Sequence, residues 1–202
     1  MLPYALKILK LFGYHAKTSY LCSRKRKKCL YPLDKIGKNE LPKTYMERTL
    51  VLLKPSTVMR GLIGEVTSRF EKKGLRIAGM KMLWLTDDLL NEHYAHLVGK
   101  PFFPALKASM MRTPVIAMCL EGAEAIEVVR FITGYTNGRK AEPGTIRGDY
   151  CMSNQQNIVH ASDSPTSAAI EIKRFFKPEE LFDLGELNFD RLYAIGEAET
   201  VS

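Results

Sequence analysis

The chain has 202 residues, 46% of them apolar and 26% charged, which is the profile of a soluble globular protein with room for one ordinary domain or two small ones. No apolar run reaches the roughly 18 residues that a membrane-spanning helix needs, no period of about 20–50 residues repeats, and four cysteines do not make a disulfide scaffold. The net charge of +8 is unevenly placed: residues 1–46 hold eleven Lys and Arg against two acids, a net +9, leaving the remainder at −1. That speaks against a nucleic-acid surface spread over the main domain and for a basic arm.

Within 1–46, Lys7, Lys10 and Lys17 share one helical face, and Leu2, Ala5, Leu9 and Phe12 share the opposite one. Arg24-Lys25-Arg26-Lys27-Lys28 follows, then Pro32, Gly37 and Pro42. The segment reads as a basic amphipathic helix, a charged stretch and a linker ending near Tyr45. A main domain over 47–184 and a tail over 185–202 complete the chain. Residues 1–33 contain no Asp or Glu, as in a mitochondrial presequence. The apolar face with the Arg24 to Lys28 run would equally suit an anionic membrane surface, and the charge alone would suit an acidic protein or nucleic acid. An intracellular location is expected, either mitochondrial or docked on a cytoplasmic structure.

From Arg48 the pattern becomes regular. Thr49-Leu50-Val51-Leu52-Leu53, closed by Lys54-Pro55, predicts a buried strand. Leu62, Ile63, Val66 and Phe70 recur at helical spacing, with Gly74 just past the end. Residues 75–85 read as a second strand. Thr86 caps a helix through Leu97, whose apolar positions include Leu89, Leu90, His93 and Tyr94. Pro101 opens a short helical segment to Met111, 115–120 is a third strand, and 123–131 is a helix. Residues 133–157 have neither period and hold four glycines and Pro143. A stretch of that length without regular structure is usually functional. Residues 157–160 form a short fourth strand. Ser164-Pro165 then starts a helix that reaches Phe176 and stops before Pro178. This order predicts an α+β, ferredoxin-like βαββαβ fold, a four-stranded antiparallel sheet with helices over one face.

No phosphate-cradling G-x-x-x-x-G-K-[ST] occurs, and no G-x-G-x-x-G follows a strand. Cys22 and Cys29 have no second pair nearby, so no structural metal site is expected, and Cys119 reads as core packing. The best candidate for chemistry is His160, at a strand end among polar residues. Glu171 lies two turns into the following helix and could turn back toward it. A carboxylate on one imidazole nitrogen fixes the tautomer and leaves the other nitrogen as a nucleophile. A capping or merely hydrogen-bonded histidine is the competing reading. Arg130, Arg139, Lys140 and Arg147 come from the helix end and the irregular stretch, and Lys54 ends the first strand. Each alone reads as a solvated surface base; their convergence on one sheet end suggests a phosphate site. Arg147, as a loop arginine with no other partner, should matter for turnover and little for folding.

At these residues the chain resembles the nucleoside diphosphate kinases, over about residues 47–184. The resemblance is carried by Glu47-Arg48-Thr49 leading to Lys54-Pro55, by Arg60-Gly61-Leu62-Ile63-Gly64-Glu65, by His93-Tyr94, and by Pro101-Phe102-Phe103. It continues through Gly134-Tyr135-Thr136-Asn137, Pro143-Gly144-Thr145-Ile146-Arg147-Gly148-Asp149, and the block from Asn157 to Ser164. The resemblance implies a ping-pong transfer of the γ-phosphate of a nucleoside triphosphate to a nucleoside diphosphate through a phosphohistidine, here on His160. Glu171 would orient the imidazole with help from Ser162. Lys54, Tyr94, Arg130, Thr136 and Arg147 would bind phosphates, Asn157 would meet the ribose, and Phe102 would stack under the base. Mg²⁺ would be held mainly by the nucleotide phosphates, and a homo-oligomer would be expected.

The sequence departs from the family pattern at Lys54-Pro55-Ser56-Thr57, at Gln155-Gln156-Asn157, at His160-Ala161-Ser162 and after Asn137, where the usual proline is missing. Ala161 stands where the family has glycine, and its methyl would be awkward if that backbone needed a positive φ. The alternative that these departures raise is a low-activity family member acting as a structural subunit, docked through its basic arm.

Overall fold

The computed structural model describes residues 46–185 and 192–193. The amphipathic helix and linker expected before Met46, and most of the expected tail after 185, lie outside the described residues. The elements run β1 (Met46–Leu53), α1 (Pro55–Met59), α2 (Ile63–Lys72), β2 (Arg76–Leu83), α3 (Asp87–His93), α4 (Phe103–Met110), β3 (Val115–Ala123), α5 (Ala125–Thr133), α6 (Ile146–Tyr150), β4 (Val159–Ala161) and α7 (Pro165–Phe175). The strands form one antiparallel sheet in the order β2-β3-β1-β4. This is the α+β, ferredoxin-like arrangement read from the element order.

The helices are not confined to one face, which corrects the expected layering. Leu50 and Leu52 of β1, with Ala117 and Cys119 of β3, pack against Leu90 of α3, Leu106 and Met110 of α4, and Ile172 and Phe175 of α7. Val51 and Leu53, with Ile116, Met118 and Leu120, pack against Val66 and Phe70 of α2, Val129 of α5 and Ile146 of α6. Leu50 to Leu53 are all fully buried, because alternate side chains enter cores on opposite faces. Each such burial contributes about 2 kcal/mol.

Local signals place the helix starts. The Thr86 hydroxyl accepts the Leu89 N–H at 3.2 Å, and the Ser164 hydroxyl accepts the Ser167 N–H at 3.2 Å, with Pro165 at the first helical position. Two short helices were not expected. α1 follows Lys54 directly, opened by Pro55, and α6 lies inside the stretch read as irregular, capped by Thr145 accepting the Gly148 N–H at 3.1 Å. At the end of β1 away from Lys54, the buried Glu121 accepts from Arg48 at 2.7 Å and from Arg76. The same two arginines hold the carbonyls of Phe182 and Gly185, which fastens the chain after α7 to the sheet. Among the described residues, no helix is long and apolar enough to cross a membrane.

Candidate active site

Antiparallel register sets His160 opposite Leu52, and Ser162, two residues on, donates its N–H to the Leu50 carbonyl at 3.1 Å. Both side chains therefore share the face covered by α7. α7 is anchored there by Ala168, Ile172 and Phe175, which brings Glu171 over the strand. His160 Nε2–H donates to both Glu171 oxygens at 3.1 Å, and the Ser162 hydroxyl donates to Oε2 at 2.6 Å. Ser162 in turn accepts the Leu50 N–H at 3.3 Å, so the carboxylate is fixed from the sheet side. Burial pushes the Glu171 pKa up. The hydrogen bond and charge of His160 and the hydrogen bond from Ser162 outweigh it, so the carboxyl lies below its ordinary value and stays ionised. An ionised acceptor at Nε2 puts the imidazole proton there and leaves Nδ1 as a lone pair, with no hydrogen-bond partner among the described residues.

This histidine opens into a cleft of about 770 Å³. Of the residues singled out in the sequence, Lys54, Tyr94, Arg130, Thr136, Arg147, Asn157, His160 and Glu171 line it. Ser162 is buried and does not line it; its contact is with Glu171. Phe102 precedes α4, is 51% exposed, and is not part of the lining. Arg139 and Lys140 also stand outside it, in a single 3₁₀ turn.

Four cations line the cleft; Arg174 is paired with Glu92, and the other three differ in their surroundings. Arg130, in the last turn of α5, is exposed and hydrogen-bonds through its side chain to no described residue. Lys54 is buried and donates to Asn157 Oδ1 at 2.6 Å; burial, then the charge of Arg147, pulls its pKa down to about 8. Arg147 corrects the expectation of a loop arginine without partners. It is buried, donating Nη1 to the Gly134 carbonyl at 2.7 Å, Nη2 to that of Val159 at 2.7 Å and Nε to that of Asn157 at 3.4 Å. Burial is also the main reason its pKa falls to about 10. Gly134 accommodates this with φ of +76°, and a β-carbon there would overlap the Thr145 side chain.

The backbone between Arg147 and His160 is strained at one point. Ile158 has φ of +55°, an outlier for a β-branched residue. Its carbonyl accepts the Lys54 N–H at 2.8 Å and the Thr57 hydroxyl at 2.5 Å, so Thr57, one of the departures from the family pattern, helps hold the strained peptide. Ala161 takes no positive φ; it is an ordinary strand residue paired with Val51, so its methyl meets no backbone conflict.

The sequence reading gave no role to His93 or Arg174, which both line the cleft. The signal was present: His93 sits at helical spacing among apolar residues, and Arg174 follows Glu171 by three. The His93 ring packs edge-on to that of His160, centroids 4.7 Å apart, and touches Tyr94 and Phe175 similarly. Burial, then the charge of His160, drives its pKa down to about 3, so it is neutral. Burial also raises that of Tyr94.

His93, His160 and Glu171 bring three ligand atoms within 4.8 Å of one another, the one such group among the described residues. Two imidazoles and one carboxylate do not suit Mg²⁺, which prefers near-octahedral oxygen. The arrangement instead sets one unpartnered imidazole nitrogen in a cleft lined by buried and exposed cations.

The comparisons with known proteins agree with that class. The model of the nucleoside diphosphate kinase family matches residues 47–181. A nucleoside diphosphate kinase of Parabacteroides distasonis is 66% identical over 149 residues, covering 74% of this chain and 97% of that protein. One of Staphylothermus marinus is 58% identical over 137 residues, covering 68% and 97%. The structure of a halophilic nucleoside diphosphate kinase from Halobacterium salinarum in complex with CDP is similar with a TM-score of 0.71 at 41% identity, over 73% of this chain and 99% of that one. The chain belongs to the nucleoside diphosphate kinase family.

Proposed function

We propose that this protein is a nucleoside diphosphate kinase that carries the γ-phosphate from a nucleoside triphosphate to a nucleoside diphosphate on Nδ1 of His160. The observation that carries the reading is the bidentate bond of Glu171 to Nε2, which leaves Nδ1 as a lone pair facing a cationic cleft. Nδ1 attacks the γ-phosphorus, the bond to the β-bridging oxygen breaks, and the nucleoside diphosphate leaves with that electron pair. The positive charge that develops on the ring is met by Glu171. In the second half-reaction the terminal phosphate of an acceptor diphosphate reverses these steps. Lys54, Arg130 and Arg147 neutralise the phosphate oxygens, with Tyr94 and Thr136 beside them. Asn157 meets the ribose, and the exposed Phe102 ring stacks on the base, which tolerates every base because each has a π-face. Mg²⁺ enters as part of the nucleotide substrate, held mainly by its phosphates. The test is incubation of the purified chain with Mg-ATP: a mass increase of one phosphate, discharged by added diphosphate, is expected, and its absence would refute the reading.

The lowered pKa of Lys54 gives a pH-dependent signature. In the free protein the lysine is about half neutral near pH 8, and bound phosphate favours its charged form. Diphosphate binding at pH 8 should take up about half a proton, and affinity should fall as pH rises further. Calorimetry in buffers of different ionisation enthalpy reads this directly. A heat independent of buffer, or unchanged proton uptake in Lys54→Met, would show that Lys54 does not meet the phosphate.

Self-association is supported by edge strand β2, where Met80 and Met82, with Trp84 just beyond, leave 45%, 57% and 62% of their surface exposed on alternate positions. Residues 1–46 are proposed to act as an address, mitochondrial or for docking on an acidic protein, nucleic acid or membrane surface. Support comes from the +9 charge carried outside the family match. A truncated chain beginning at Tyr45 should keep its transfer activity and lose its position in the cell. Lost activity in vitro would contradict the proposal.

A further inference from the structure

Arg174 sits one turn of α7 beyond Glu171 and reaches across to α3, where its Nε donates to Glu92 Oε1 at 2.7 Å. That pair holds Nη1 at 3.5 Å from Nδ1 of His93. Nδ1 of His93 is also 3.8 Å from Glu171 Oε1, one of the two oxygens that accept from His160. Two imidazoles thus stand within reach of one carboxylate, and only one of them faces the transferring phosphate. A proton on His93 Nδ1 would let that ring close on Oε1 with a small rotation and draw the carboxylate from His160. A guanidinium at Nδ1 prevents this twice over. It donates only, so Nδ1 must be the acceptor and the proton must sit on Nε2. It also repels the charge that a second proton would bring. The cost is visible: His93 Nε2 is buried with no hydrogen-bond partner. A tautomer that strands a buried N–H needs an opposing interaction to hold it, and Arg174 is the group placed to supply one.

We propose that Arg174 is a positioning residue, capping Nδ1 of His93 so that the Glu171 carboxylate serves His160 alone. The proposal rests on His160 being the phosphate carrier. The groups facing His93 are Tyr94 beside it, Glu92 on its own helix, His160 on β4, Glu171, Arg174 and Phe175 on α7, and Lys54 after β1. Burial disfavours a charged His93 most; His160, Arg174 and Lys54 add to that, and Glu171 opposes it. Losing Arg174 therefore tips His93 toward Glu171.

The test compares Arg174→Met and Arg174→Lys with the unaltered full chain. For Arg174→Met, the rate of His160 phosphorylation at saturating Mg-ATP should fall about tenfold, with little change in KM, because the carboxylate is shared. The acid limb of the rate profile should move upward in pH. Histidine ring ¹⁵N shifts should report His93 as the Nε2–H tautomer across pH 5–8 in the unaltered chain. In Arg174→Met, His93 should carry a proton on Nδ1 over part of that range. Arg174→Lys, which keeps a donor-only cation, should restore the rate and the tautomer. A raised KM with an unmoved acid limb would make Arg174 a direct nucleotide contact. A lower melting temperature with an unchanged His93 tautomer would make it structural, and either result overturns the proposal. If the unaltered chain takes up no phosphate, the functional reading fails instead, and the ¹⁵N comparison still decides the tautomer.

Discussion

Replacing His160 with alanine is expected to abolish phosphate uptake from Mg-ATP and to lower nucleotide phosphate exchange by roughly 10⁴-fold or more, since in the proposed mechanism no other group carries the transferring phosphate. Two further properties sharpen the expectation. The phosphoenzyme of the unaltered chain should be lost in acid and survive alkali, as a phosphoramidate does and a serine ester or acyl phosphate does not. That distinction matters because Ser162 and Glu171 lie in hydrogen-bond contact with one another beside the imidazole. The fold should tolerate the change. Glu171 keeps its bond from Ser162, and His160 is not among the fully buried core residues, so a cost of about 1–2 kcal/mol is expected from the half-relieved carboxylate. Retention of stoichiometric, acid-labile phosphate by His160→Ala, measured by intact mass, would place the chemistry on another nitrogen. The neutral His93 would then be the group to examine.

Much of this site was legible because its parts are tied to the chain by short-range rules. The apolar run closed by Lys54-Pro55, the strand ending in His160 and the Ser164-Pro165 helix start each have a local signature. Glu171 follows His160 at a distance that one strand end and two helical turns fix. What escaped has no such signature. α1 and α6 have five residues each, too short for a 3.6-residue period to declare itself. Covering of the sheet on both faces was implicit in the unbroken burial of Leu50 to Leu53, but element order alone suggested a single helical layer. The concern over Ala161 assumed a backbone need that falls instead on Ile158, three residues earlier. The partners of Arg147 are backbone carbonyls, which every residue carries and no side-chain pattern announces.

That last point changes what Arg147→Ala should do. A solvated loop arginine would cost activity alone, whereas this buried arginine should cost both activity and stability. Its removal strands the carbonyls of Gly134, Asn157 and Val159, which belong to the end of α5, the strained turn and β4. Three charge-assisted bonds lost around a buried site should destabilise the domain by about 3 kcal/mol or more, a fall of roughly 6–12 °C in Tm. Turnover should fall by about 10²-fold at a temperature where the variant is still folded. The two losses share one cause. A guanidinium has five N–H donors; three bond the three carbonyls, which leaves two for a ligand in the cleft that Arg147 lines. The same residue therefore ties β4, which carries His160, to the end of α5 and, in the proposed mechanism, would also offer a charge to the phosphate. Arg147→Lys separates the roles: a single ammonium keeps the charge but cannot span three carbonyls, so it should recover more turnover than Tm. Arg130→Ala, with an exposed guanidinium and no described hydrogen-bond partner for it, should lower turnover and leave Tm within about 1 °C. Equal Tm for Arg147→Ala and the unaltered chain would mean that the three carbonyls find other donors, and the account of β4 being held by Arg147 would have to be abandoned.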